Sequence, residues 1–161
     1  MTKEALVGRD VVHPFQQTAA ANTWPEHRNL LSDDTPQDHF IERNGSVFAG
    51  VHLIIDLWGA SHLDDLERME KALRDCVDKA KATLLHIHLH HFTPNGGVSG
   101  VAVLAESHIS VHTWPERDFA AFDVFMCGNS QPSETIPVLS SAFHPQKIII
   151  RENLRGVLDH A

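Results

Sequence analysis

A chain of 161 residues, 42% hydrophobic and 21% charged, is the length of one compact domain and buries a core without needing disulfides or a structural metal. Thirteen Lys and Arg against 21 Asp and Glu leave a formal charge of −8, which argues against a nucleic-acid surface and suits cationic small molecules. Two cysteines in no metal-binding spacing fit a reducing, cytoplasmic setting; with no basic-then-apolar leader and no apolar run near ~18 residues, export and membrane spanning are not expected.

Residues 1–45 mix Ala, Gln, Asn, Asp and Pro without a sustained period and read as a loosely structured arm before a domain spanning 46–161. Residues 47–58 (VFAGVHLIIDLW) read as a buried strand. Residues 63–82 carry Leu63, Leu66, Met69, Leu73, Cys76 and Val77 at helical spacing, with charges elsewhere. Residues 83–92 (TLLHIHLHHF) alternate like a strand, and TPNGG at 93–97 is a turn cluster. The apolar stretch 98–114 is too long for one strand of the usual ~5–6 residues, so a break is expected near 105–108. Residues 119–126 read as a strand, 134–143 as a short helix and 147–151 as a last strand. The order β-α-β-β-β-β-α-β predicts an α+β fold, a two-layer unit with helices on one face of a mainly antiparallel sheet. A second copy of the chain is a natural cover for the other face.

The densest polar cluster interrupts the apolar stretch: Glu106, Ser107, His108, Ser110, His112 and Glu116, with Ser99 upstream and Cys127 downstream. Any one of these alone is more simply a solvent-facing residue on a half-exposed strand. As a set, the segments GVSGVAVLAESHISVHTWPE (Gly97 to Glu116) and AAFDVFMCG (Ala120 to Gly128), with GVHLIIDLWGA (Gly50 to Ala60) ahead of them, resemble the bacterial S-adenosylmethionine decarboxylases. The resemblance runs over about residues 47 to 155 and omits the N-terminal arm.

That resemblance implies a protomer that dimerises into a four-layer α/β/β/α sandwich. It implies a pyruvoyl cofactor made from the chain itself by cleavage between Glu106 and Ser107, into fragments 1–106 and 107–161. By matching position, His112 is the processing base, Ser99 the hydrogen-bonding partner in processing and Cys127 the proton donor. Ser107 then carries the Schiff base to substrate, Phe92 stacks on adenine and Glu116 binds the ribose hydroxyls. A ketone is an electron sink for the carbanion left when CO₂ departs, the role pyridoxal phosphate plays elsewhere. A thiol of ordinary pKa, near ~8.5, is mostly protonated at neutral pH and has a proton to give. The product implied is the aminopropyl donor of spermidine synthesis. Phe92 also reads as a strand-end core aromatic, Cys127 as a small buried hydrophobe, and Cys76 as core.

Three features leave the reading open. The loop Phe92-Thr93-Pro94-Asn95-Gly96-Gly97 is one residue longer than in many members of the family, and relatives on this scaffold are thought to act on ornithine or arginine, so the substrate stands among three. Asp56, Asp64 and Asp65 are either a hold for a cationic side chain or solvated loop positions. Ser107 and His112 are five positions apart, about 16 Å along a strand at ~3.3 Å per residue and on opposite faces. They meet only if the chain folds back between them or if His112 acts across a dimer interface, and the second is the expectation.

A rival reading is a metal site at His86, His88 and His90, which share one strand face near His52 and His91; no acidic residue or Cys completes a recognisable set, so no metal is expected. Another is a dimeric binding domain whose site has decayed, against which stands the intact set Ser99, Ser107, His112 and Cys127.

Overall fold

The computed structural model describes residues 40–158; most of the N-terminal arm, 1–39, and residues 159–161 lie outside it. The elements run β1 (Ile41–Arg43), β2 (Ser46–Phe48), β3 (Gly50–Trp58), α1 (Leu66–Lys79), β4 (Leu84–His91), β5 (Val98–Leu104), β6 (Ser107–Trp114), β7 (Phe119–Cys127), α2 (Thr135–Phe143) and β8 (Lys147–Arg155). Strands β3 to β8 form one antiparallel sheet in the order β4-β5-β6-β7-β3-β8, and β1 and β2 form a separate hairpin.

Alternation decides the faces. Along β6, Ser107, Ile109, Val111 and Thr113 are buried and the residues between them are not; β7 buries Ala120, Phe122, Val124 and Met126 in the same way. These side chains face α1 and α2, and the core between the layers contains Ile55, Leu57, Met69, Leu73, Ile109, Phe122, Leu139 and Phe143. Helix α1 buries Met69, Ala72, Leu73, Cys76 and Val77, a stripe at spacings of three and four. It begins where the Asp65 carboxylate accepts from the Arg68 N–H at 3.0 Å, so Leu63 is core but precedes the helix, and Leu66, expected on the stripe, is 39% exposed.

The opposite sheet face has no helix over it among the described residues. It presents Trp58, His108, His112, Trp114, Phe119, Asp123 and Phe125, with Trp58, Phe119 and Trp114 stacked at centroid distances of 4.3 and 5.3 Å. Three differences from the expected elements are local. The strand expected over residues 47–58 breaks at Ala49 into β2 and β3, which pair in different sheets. The end of the stretch read as an arm forms β1, joined to β2 through Asn44-Gly45. Strand β8 continues to Arg155, past the apolar run at 148–150, because it is an edge strand paired along the whole of β3 and its last residues need no burial.

Candidate active site

The expected break near 105–108 is a two-residue turn, Ala105-Glu106, joining β5 to β6, with Leu104 and Ser107 paired across its base. Glu106 has φ +63°. Ser107 is 8% exposed. Its Oγ accepts from the Cys127 backbone N–H at 3.3 Å, and the Cys127 thiol donates to the Glu106 carbonyl oxygen at 3.1 Å. The antiparallel register of β6 and β7 brings the end of β7 level with the turn, so Cys127 touches both sides of the Glu106–Ser107 bond. Burial pushes the Cys127 thiol pKa up; a hydrogen bond with Ser107 lowers it and the Glu106 charge raises it, with a net upward shift that keeps the sulfur protonated at neutral pH.

A second cluster lies at the other end of β6. Ser99 and His112 are cross-strand partners, with Ser99 Oγ and His112 Nδ1 2.8 Å apart. They line a cavity of about 390 Å³ together with Phe92, Asn95, Trp114 and Glu116. Phe92 is 49% exposed, in edge contact with His90 at 4.5 Å between centroids, so it is not a core aromatic. The cavity floor depends on two residues that sequence reasoning did not single out. Thr113 is buried, accepts from the Val98 N–H at 2.7 Å and donates to the Leu63 carbonyl at 2.9 Å, which pins β6 to β5 and to the loop before α1. At Gly97 an added Cβ would lie 2.9 Å from the Thr113 carbonyl oxygen, so the close approach admits only glycine. A larger groove, about 960 Å³, runs between α1 and α2 and contains none of these residues.

Glu106, Ser107 and Cys127 thus meet at one end of β6, and Phe92, Ser99, His112 and Glu116 at the other. Ser107 points toward the helices and His112 toward the open face, and β6 runs between them without folding back. Between the two clusters the open face carries His52, His108, Ser110 and Asp123. His52 Nε2 is 3.4 Å from Asp123 Oδ1 but too poorly aligned to be a hydrogen bond, and its Nδ1 is 3.3 Å from an Arg155 nitrogen. Burial, and then the His52 charge, lower the His108 pKa, and Asp123 opposes them.

Asp65 caps α1, and Asp56 lies on β3 paired with Arg151 at 3.3 Å. His86, His88 and His90 do share the open face of β4, and among the described residues no group of three His, Cys, Asp or Glu side chains is placed to hold a metal ion. Cys76 is buried, its thiol against the Thr135 carbonyl. No described helix is long and apolar enough to cross a membrane.

Residues 51–156 match the family model described as S-adenosylmethionine decarboxylase. The S-adenosylmethionine decarboxylase proenzyme of Thermomicrobium roseum is 44% identical over 110 residues, covering 68% of this chain and 95% of that protein. The proenzyme of the same name from Methanococcus maripaludis is 47% identical over 113 residues, covering 68% and 92%. Among solved structures, the adenosylmethionine decarboxylase of Aquifex aeolicus superposes with a TM-score of 0.62 at 32% identity, covering 71% of this chain and 96% of that one.

Proposed function

The chain belongs to the S-adenosylmethionine decarboxylase family, and from that premise we propose that it cuts its own backbone between Glu106 and Ser107 and then decarboxylates S-adenosylmethionine with the group left on Ser107. The observation that carries the reading is the placement of Cys127, with one donor on the Ser107 hydroxyl oxygen and another on the carbonyl that this hydroxyl must attack. Addition of Oγ to the Glu106 carbonyl carbon breaks the C–N bond and passes the hydroxyl proton to nitrogen, leaving an ester. Removal of the Ser107 α-proton breaks the Oγ–Cβ bond and releases the Glu106 carboxylate. The dehydroalanine so formed takes up water and loses ammonia, which leaves a ketone at the new amino end. Negative charge builds on the Glu106 oxygen in the first step, where the thiol already donates.

The residues around Ser107 suit a pyruvoyl group: the Ser107 side chain is buried, and the Cys127 thiol and N–H lie beside it. When present, that ketone supplies an electron sink for decarboxylation. Cys127 then holds the proton that the substrate α-carbon takes up. Phe92 offers a ring face at the mouth of the second cavity, where a sulfonium gains about 0.5–2 kcal/mol by cation–π attraction, and Glu116 offers a carboxylate to paired hydroxyls.

The proposal extends to a homodimer of cleaved protomers, in a cytoplasmic setting, with the open sheet faces packed together. The open face exposes Trp58 and Trp114 at 43% and 41%, and neither cluster alone holds both the reacting serine and the His112 imidazole. The partner's His112 is then the base for the Ser107 α-proton, with the partner's Ser99 fixing its ring.

The test is intact-mass analysis of purified protein followed by CO₂ release from S-adenosylmethionine, ornithine and arginine in parallel. Expected are fragments 1–106 and 107–161, a carbonyl-reagent adduct on the second, and turnover of S-adenosylmethionine above the other two. A folded chain that remains whole would overturn the cleavage, and preferred turnover of ornithine or arginine would overturn the substrate.

A further inference from the structure

The bond proposed to break lies in a turn that is poorly suited to its place. Two-residue connections between antiparallel strands favour turns with positive φ at both central residues or at the first, because those match the strand twist. Here Ala105 has no positive φ and Glu106 alone takes +63°. That conformation presses Cβ against the following carbonyl oxygen in any residue but glycine, and Glu106 is the residue that carries the scissile carbonyl. The surroundings hold it there. Leu104 and Ser107 pair at the base of the turn, the Ala105 N–H donates to the Thr83 carbonyl at 2.9 Å, and the Cys127 thiol and N–H hold the Glu106 oxygen and Ser107 Oγ at 3.1 and 3.3 Å. The positive φ is thus fixed by several contacts at the residue whose carbonyl is to be attacked, a setting in which backbone strain can persist.

Resting on the cleavage reading above, we infer that the left-handed backbone of Glu106 is a working part of self-cleavage, raising the energy of the intact turn and releasing it as the ester forms. The chemistry allows this release. In the peptide, one nitrogen links the Glu106 carbonyl carbon to the Ser107 Cα; in the ester, Oγ and Cβ do, so the turn lengthens by a bond before it opens. Elimination then frees Glu106 entirely as a carboxylate terminus.

The experiment compares Glu106→Gly, Glu106→Ala and Glu106→Gln in the full chain, following the first-order rate at which newly made protein splits on denaturing gels. Glycine removes the strain, whereas Ala and Gln keep a Cβ and report what the carboxylate contributes. Glu106→Gly is expected to cleave about fivefold more slowly than Glu106→Ala, equivalent to about 1 kcal/mol at roughly 1.36 kcal/mol per decade of rate. A second measurement needs no cleavage. In uncut Ser107→Ala protein, Glu106→Gly is expected to melt about 3 °C above Glu106→Ala, the reverse of the order found where φ is negative. Equal cleavage rates for the Gly and Ala variants, or a lower melting point for Gly, would overturn the inference while the cleaving parent leaves the functional reading standing. A parent chain that never cleaves takes both down.

Discussion

Cys127 donates through two different atoms, and substitution separates them. Its backbone N–H on Ser107 Oγ survives any side-chain change, whereas the thiol on the Glu106 oxygen does not. In Cys127→Ala the chain should still cleave, more slowly, because one donor to the developing oxyanion is lost. The cleaved fraction should then turn over about 10²–10⁴-fold more slowly, the range a positioned general acid supplies. Turnover must be expressed per mole of downstream fragment, so that slow maturation is not counted as slow chemistry. If that normalised rate matched the parent's, the thiol would not be the proton source. In the uncut chain the raised thiol pKa keeps the donor on the Glu106 oxygen protonated above the range of an ordinary cysteine, so self-cleavage should lose that donor only at correspondingly alkaline pH.

At the scale of strands, the open face of the sheet ties pH to stability through His108 on β6, which faces His52 on β3 and Asp123 on β7. Its folded pKa lies below the ordinary histidine value of 6.5, with burial the largest cause and the His52 charge next. The unfolded chain therefore binds a proton at a higher pH than the folded one. His108 contributes stability above about pH 6.5, and that contribution shrinks as pH falls from there to the lowered folded value. Melting points taken between pH 8 and pH 5 should decline over that window, and His108→Gln should flatten the decline. An equal decline in the variant would assign it to other groups.

The same strands show what alternation in a sequence reveals. Period two alone puts Ser107 and His112 on opposite faces, and helical spacing alone puts Met69, Leu73, Cys76 and Val77 in the core, as the structure has them. Pattern reading fell short where burial does not decide structure. The polar end of β8 is held by its pairing with β3, the three-residue strands β1 and β2 are too short to show a period, and Leu66 sits in the first turn of α1, off the stripe. In the site, the residue types were legible but the meeting of Cys127 with Glu106 was not, because it depends on the register of β6 against β7. The role of Thr113 was hidden for the same reason, since its partners Val98 and Leu63 are distant in sequence.

On the scale of the whole molecule, a strand that keeps Ser107 and His112 about 16 Å apart, at ~3.3 Å per residue, makes a quantitative demand on assembly. If the base comes from the partner, a chain carrying Ser107→Ala still lends its His112, and a chain carrying His112→Ala still offers its Ser107. Each variant alone should stay uncut. Co-expressed at equal levels with tags of different size, they pair at random, and about half of the dimers are mixed. In those dimers the His112→Ala chain meets an intact partner imidazole. The expected result is that about half of the His112→Ala chains are cut while every Ser107→Ala chain remains whole, scored by tag on a denaturing gel. An active site contained in one chain gives no cutting of either, because no single chain then holds both residues. Cutting of His112→Ala chains expressed alone would remove His112 from the base role altogether.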